Sequence, residues 1–201
     1  MAYVLTVDQI ASRNSADKVP ATMATMRAQF PGAHVTRTVG DEFQVLFADD
    51  PVSVVSAILT LMRARCWHVG LGVGPVEEPV PDDLRGARGA AFLAARQAVD
   101  LAKDRADHLR VVAVPPAADE GDDAQVLLSL LLALRARRSD AGWAATDLAD
   151  DDLTQAEIGE RLGVSRQAVH QRLQAAQWAL DAEARPVAAR LLTRAHLVAT
   201  T

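Results

Sequence analysis

The residues best able to do chemistry fall in two groups. The first is a pair of carboxylates. Asp8 ends the apolar run "YVLTVD" (Tyr3 to Asp8), and Asp41 sits in "TRTVGDEFQVLF" (Thr36 to Phe47), beside Glu42, at the tip of a predicted hairpin. In a βαββ sheet the first strand is expected beside the strand leading into the hairpin, so Asp8 and Asp41 would converge at one edge. Two carboxylates there could hold Mg²⁺ through oxygens and leave coordination positions for nucleotide phosphates. The plainer alternative has Asp8 capping the following segment and Asp41 filling a turn position, and spacing alone favours it. Glu42 has no assigned chemistry and is expected to face solvent.

The second group lies in "LTQAEIGERLGVSRQAVHQRLQAAQWAL" (Leu153 to Leu180). Thr154 and Glu157 have capping-box spacing. Gly163 falls where two helices need a left-handed joint, and Val164 plugs the angle between them. Ala156, Ile158 and Leu162 are expected inside, with Ala168, Val169, Leu173, Ala176 and Leu180 from a second helix capped by Ser165. That leaves Arg166, Gln167, His170, Gln171 and Gln174 outward. Arginine can bind guanine edges and glutamine adenine edges in the major groove, so the pattern predicts a DNA-reading helix. Arg172 is a candidate phosphate contact. An ordinary helical hairpin with a polar face is the alternative. Residues 122–201 carry nine arginines against eleven acids, so phosphate attraction must come from local clustering, and modest affinity per copy predicts a dimer.

Several elements must position these groups. The order β-α-β-β-α-β-α-β is predicted over residues 1–114, its first six elements forming a split βαβ sheet, antiparallel with helices on one face. Asp50 and Pro51 open one helix as cap and first position. "HVGLGVG" is a strand whose glycines let something approach its backbone closely. The acidic, proline-containing stretch at residues 115–121 is expected to be a linker, and residues 122–201 to be all helix. The predicted class is therefore an α+β domain followed by an all-α helix-turn-helix domain.

Composition narrows the setting. Half of the 201 residues are hydrophobic, and the net charge of −5 argues against a broadly basic surface without excluding a local DNA-binding face. The single cysteine, Cys66, leaves no intramolecular disulfide and no thiolate metal cluster. No apolar stretch approaches the ~18 residues of a membrane span. The opening segment is too short, and too soon interrupted by Asp8, for a signal peptide. A cytoplasmic protein without membrane association is expected.

Four blocks in order, "YVLTVDQIASR", "TRTVGDEFQVLF", "WHVGLGVG" and "GARGAAFLAARQAV", resemble the class III nucleotide cyclase core. They are closer still to the bacterial SatD family, with its aspartate–serine–arginine opening block, "GDEFQ" hairpin and "G-x-A-F" helix. The likeness to "GGDEF" diguanylate cyclases is weaker, because Val39 replaces the first glycine. The cyclase resemblance implies a ferredoxin-like, cyclase-like sheet with Asp8 and Asp41 as metal ligands. It places Arg37 at the purine-reading position, normally lysine, and Phe92 and Arg96 where cyclases carry a transition-state asparagine and arginine. Phe92 cannot donate a hydrogen bond, which argues against cyclisation; it could stack on a purine or pack in the core. Arg85 and Arg88 precede a helix N-terminus, a suitable place for an anion or simply solvated loop positions.

Together these readings predict a DNA-binding transcriptional regulator. Its expected partners are double-stranded DNA, a nucleotide ligand, taken as a purine nucleotide with Mg²⁺, and a second copy of the chain. A Mg²⁺-dependent enzyme acting on nucleoside triphosphates, or a ligand-free dimerisation platform, are the alternatives.

Overall fold

The computed structural model describes residues 2–12 and 15–201. Arg13, the last residue of the opening block, lies outside them. Five strands form one sheet in the order β2-β3-β1-β4-β5: β1 Ala2–Gln9, β2 His34–Arg37, β3 Glu42–Ala48, β4 Trp67–Val73 and β5 Leu109–Ala113. β1 is central and antiparallel to both β3 and β4, which explains its almost continuous burial and apolar sequence. The first four strands, with α1 (Val19–Gln29) and α2 (Pro51–Arg63), make the expected split βαβ arrangement. β5 adds to β4 in parallel, so the sheet is mixed.

Side-chain alternation divides the sheet into two faces. Tyr3, Leu5 and Val7 join Phe43, Val45, Val69 and Leu71 beneath α1 and α2. The other face, with Val4, Thr6 and Asp8, is covered by α3 (Ala90–Ala102). A Cβ on Gly70 would stand 2.1 Å from the Val99 nitrogen, and one on Gly72 would stand 2.1 Å from the Ala91 oxygen. The close approach foreseen for these glycines is thus filled by α3 itself, whose contact side is built of Ala91, Ala95, Ala98 and Ala102. Helices therefore lie on both faces. The crossovers β3-α2-β4 and β4-α3-β5 step the same way between parallel strands on opposite faces, so their hands are opposite, and one of them is of the rare hand.

The segment 115–121 departs from the expected linker. After a turn at Pro115-Pro116, α4 (Ala118–Ala136) has already begun, with Asp119 and Glu120 in its first turn where the helix dipole favours acids. Composition suggested a solvated connection, but only Asp119 is exposed; Glu120 is largely covered and accepts from Arg194 at 3.3 Å. Their neighbour Gly121 is buried, and a Cβ there would meet the Ala113 side chain at 2.9 Å. Gln125 seals the sheet edge: its Oε1 accepts the Val111 N–H at 2.7 Å, and its Nε2 donates to the Leu109 carbonyl at 3.3 Å. α8 (Trp178–Ala199) packs beside α4, and both belong to the core beneath the sheet through Leu128, Leu131, Ala188, Leu192 and Ala195. Only α5 (Asp140–Asp150), α6 (Gln155–Leu162) and α7 (Arg166–Ala175) form a separate cluster, around Ala145, Ile158, Val169 and Leu173.

Candidate functional site

The α6–α7 hairpin is determined locally. Thr154 and Glu157 form the full capping box: the Glu157 N–H donates to Thr154 Oγ1 at 3.4 Å, and Glu157 Oε2 accepts the Thr154 N–H at 2.8 Å. The Thr154 hydroxyl, donating to Glu157 Oε2 at 2.6 Å, and then the Thr154 N–H hold the Glu157 carboxyl below its ordinary range. Ser165 caps α7, accepting the Ala168 N–H at 3.2 Å. Each such cap is worth about 1 kcal/mol. Gly163 takes φ +65°, as the joint requires. Gly159 is buried, and a Cβ on it would press to 2.8 Å from the Val164 carbonyl, so the turn closes only over glycine.

Two expected core positions move. Ala156 is exposed, its place taken by Gly159, and Leu180 is exposed because the reading helix stops at Ala175. Gln177, with φ +52°, breaks the chain into α8, so Leu180 no longer shares the register of Val169 and Leu173.

Ser165, Arg166, Gln167, His170, Gln171 and Gln174 are all exposed, in one line along α7. Arg172 is half-buried and lines a cleft of about 320 Å³ with Arg137, Ser139 and Gln171. Arg137 escaped the sequence reading because it closes α4, far from the motif. Arg137, Arg166 and Arg172 make no ion pair among the described residues, whereas several of the nearby acids are spent internally. Asp147 binds Arg63, and Asp150 binds Arg185. Arg137 and Arg172 gather positive charge at one cleft beside the α5 N-terminus, although Asp140 stands in the first turn of that helix.

α7 is held to the sheet by a buried charge network. Asp181, fully buried on α8, accepts two hydrogen bonds from Arg135 at 2.6 and 2.8 Å and one from Arg185 Nε at 2.8 Å. Burial pushes its carboxyl up, but these partners hold it below the usual range. Arg138 donates to the Ala176 carbonyl at 3.0 Å, at the end of α7, and stands 3.5 Å from Asp181.

The carboxylate corner is built by cross-strand register. Asp8 lies opposite Glu42, and the Asp41 carbonyl accepts the Gln9 N–H at 3.2 Å, so Asp8, Asp41 and Glu42 share one end of the sheet. Burial raises the Asp8 carboxyl, Lys103 opposes this from 3.9 Å, and the charges of Asp41 and Glu42 add to the rise. Glu42, expected in solvent, is instead buried. It takes both guanidinium arms of Arg96, one at 2.9 Å, and the Thr38 hydroxyl at 2.6 Å.

The remaining residues of the expected nucleotide set are not brought together. Arg37 pairs with Phe43 and so points to the other face, bonded to the Gly40 carbonyl and Asp17. Arg85 closes on Asp83, and Arg88 is exposed in the loop. The α3 N-terminus is partly satisfied, since the Ala91 N–H already donates to the Pro75 carbonyl at 3.1 Å. Phe92 is buried against Val4, Leu46 and Leu84, the core outcome of its two readings. Among the described residues, no three His, Cys, Asp or Glu side chains form a metal-holding group, so a Mg²⁺ ion on Asp8 and Asp41 would complete its shell with water and phosphate oxygens.

The trihelical unit with its outward polar helix defines a helix-turn-helix DNA-binding fold. The family model for sigma-70, region 4, matches residues 132–178, from the later part of α4 through α7 to the first residue of α8. The match supports DNA binding and a regulatory role for this part of the chain. No curated protein matches the chain at a significant level. No helix among the described residues is long and apolar enough to cross a membrane.

Proposed function

We propose that the chain is a sequence-specific regulator of transcription that docks α7 in the major groove of double-stranded DNA and carries a dimerising, nucleotide-responsive sheet. The observation that carries the DNA half is the unbroken outward line Arg166, Gln167, His170, Gln171, Gln174 on a helix fixed by two caps and a glycine-only turn. Arg137 and Arg172 would take phosphates. A duplex selected from a random pool supplies the test. Arg166→Ala or Gln171→Ala should weaken the selected duplex about 5- to 150-fold, the ~1–3 kcal/mol of one base contact, while non-specific binding hardly changes. A double variant that keeps the wild-type preference for the selected over a scrambled duplex sinks the assignment.

For the sheet, the supporting features are the convergence of Asp8 and Asp41 and the four blocks resembling SatD-like and cyclase chains. The reading is a purine nucleotide with Mg²⁺ at that corner, in a two-fold dimer presenting two copies of α7. Burial of Phe92 and engagement of Arg96 by Glu42 favour a binding role over turnover. Calorimetry with GTP and ATP, each with Mg²⁺, tests it: heat lost in Asp8→Asn supports the site, and absence of heat in the wild type removes it. Sedimentation at micromolar concentration tests the dimer.

A further inference from the structure

Between the sheet and the helix-turn-helix unit lies a cleft of about 500 Å³, a volume usual for small-molecule sites. Its walls come from α2, the start of β4, the loop before β5, α4 and α5. Most of the lining is apolar: Leu59, Met62, Trp67, Leu132 and Trp143.

The charged groups at the cleft are nearly all spoken for. Arg63 forms a two-armed bridge to Asp147 and lies 4.1 Å over the Trp143 ring. Arg135 is bound to Asp181, and Asp107 to Arg105 and Ser129. Arg65 is different. It makes no ion pair among the described residues, and its one hydrogen bond is Nη2 donating to the Ala136 carbonyl at 3.1 Å. It also occupies the left-handed position that ends α2, at φ +52°, where glycine would be unstrained. His108, another lining residue, is left-handed too, at φ +53°.

From this we infer that the cleft binds a small amphipathic monoanion, an aromatic or short aliphatic carboxylate. Its apolar body lies between Trp67, Met62, Leu132 and Trp143, and its carboxylate meets Arg65. A polyphosphate does not suit the site, because one free cation faces a lining that is mostly apolar. The ligand is distinct from the nucleotide considered at Asp8 and Asp41, so the two readings stand or fall separately.

The probe is 4-phenylbutyrate, with 4-phenylbutan-1-ol as its uncharged counterpart. Two of the three tryptophans, Trp67 and Trp143, line the cleft, so quenching of tryptophan emission reports binding. In the wild type the acid should bind at least tenfold tighter than the alcohol. Arg65→Met should remove that preference without weakening the alcohol, and Arg65→Lys should largely retain it. Ala133→Phe, at an exposed lining position, should block both probes. Melting temperatures establish that each variant is folded. The inference is overturned if neither probe binds, if acid and alcohol bind equally to the wild type, if Arg65→Met keeps the preference, or if Ala133→Phe binds as the wild type does.

Discussion

The α5–α7 unit and the carboxylate corner are built on opposite plans. In the helical unit, charged and amide side chains turn outward, and the backbone is completed by caps a few residues away. In the corner, Arg96 binds Glu42 and Lys103 stands near Asp8, and Asp41 lies at the same end of the sheet, all brought together from strands and a helix far apart in sequence. The first plan leaves polar groups free for an outside partner. The second stores unfavourable charge at a fixed place in the sheet, as the raised Asp8 carboxyl shows.

The sharpest way to break the comparison is to damage each half through its glycines. Gly70→Val should prevent stable folding of the whole chain, because the side chain meets backbone of α3 rather than a movable group. Gly159→Ala should instead loosen only the α6–α7 turn, leaving the sheet folded while DNA binding is lost. Circular dichroism melts beside mobility shifts separate the outcomes; simultaneous loss of both in Gly159→Ala would show the halves to be inseparable.

A smaller effect is expected where the halves are tied. Asp181→Ala leaves three arginines facing a buried gap, and breaking such a pair costs about 3–5 kcal/mol. Chemical denaturation should show that loss, with the duplex affinity of the remaining folded protein also reduced. Stability within about 1 kcal/mol of wild type would mean that the network contributes little.

Protonation probes the sheet and the helix that covers it. Burial, with His108 and Lys103 nearby, lowers the His68 pKa below 6.5, and burial likewise lowers His196. For a depressed histidine the stabilising difference is complete above the unfolded value and is lost as pH falls from there through the folded one. The melting temperature should therefore be flat above pH 7 and decline from about 6.5 downward, with a shallower decline in His68→Gln. Identical profiles would discount His68 as a source.

The smallest predicted change carries the opposite sign. Because the folded Asp8 carboxyl titrates above its unfolded value, its charge opposes folding at neutral pH, and Asp8→Asn should raise the melting temperature by a degree or two at pH 7. The gain should vanish as pH falls through the carboxylate range. A lower melting temperature for Asp8→Asn at pH 7 would show that the corner is stabilising and would dissolve the contrast between the two regions.

Legibility in the sequence followed the same division. Thr154, Glu157, Gly163 and Ser165 act within a few residues of their partners, so spacing was enough to place them. The split βαβ succession was also readable, but the neighbour of β1 was not: β1, expected beside β2, which leads into the hairpin, lies beside β3, which leaves it, and that register still brings Asp8 to the hairpin end. Glu42 was not readable, since only the Asp8–Glu42 register and the later α3 bring Arg96 onto it. Nor was the true start of α4: acids in a first helical turn after two prolines have the composition of a linker. The end of α7 was misplaced because Gln177 takes a left-handed conformation that nothing about glutamine announces.

One feature of α8 bears on synthesis. Its Leu192 and Ala195 close the sheet's lower face, and the His196 ring lies 5.5 Å from that of Tyr3 in the first strand. At about 5–20 residues per second, the segment from Ala113 to Ala199 takes roughly 4–17 s to translate. During that interval α1, α2 and then α4 cover part of this face, while the apolar side chains that meet α8 stay open to water. The reading helix thus emerges before the helix that anchors it.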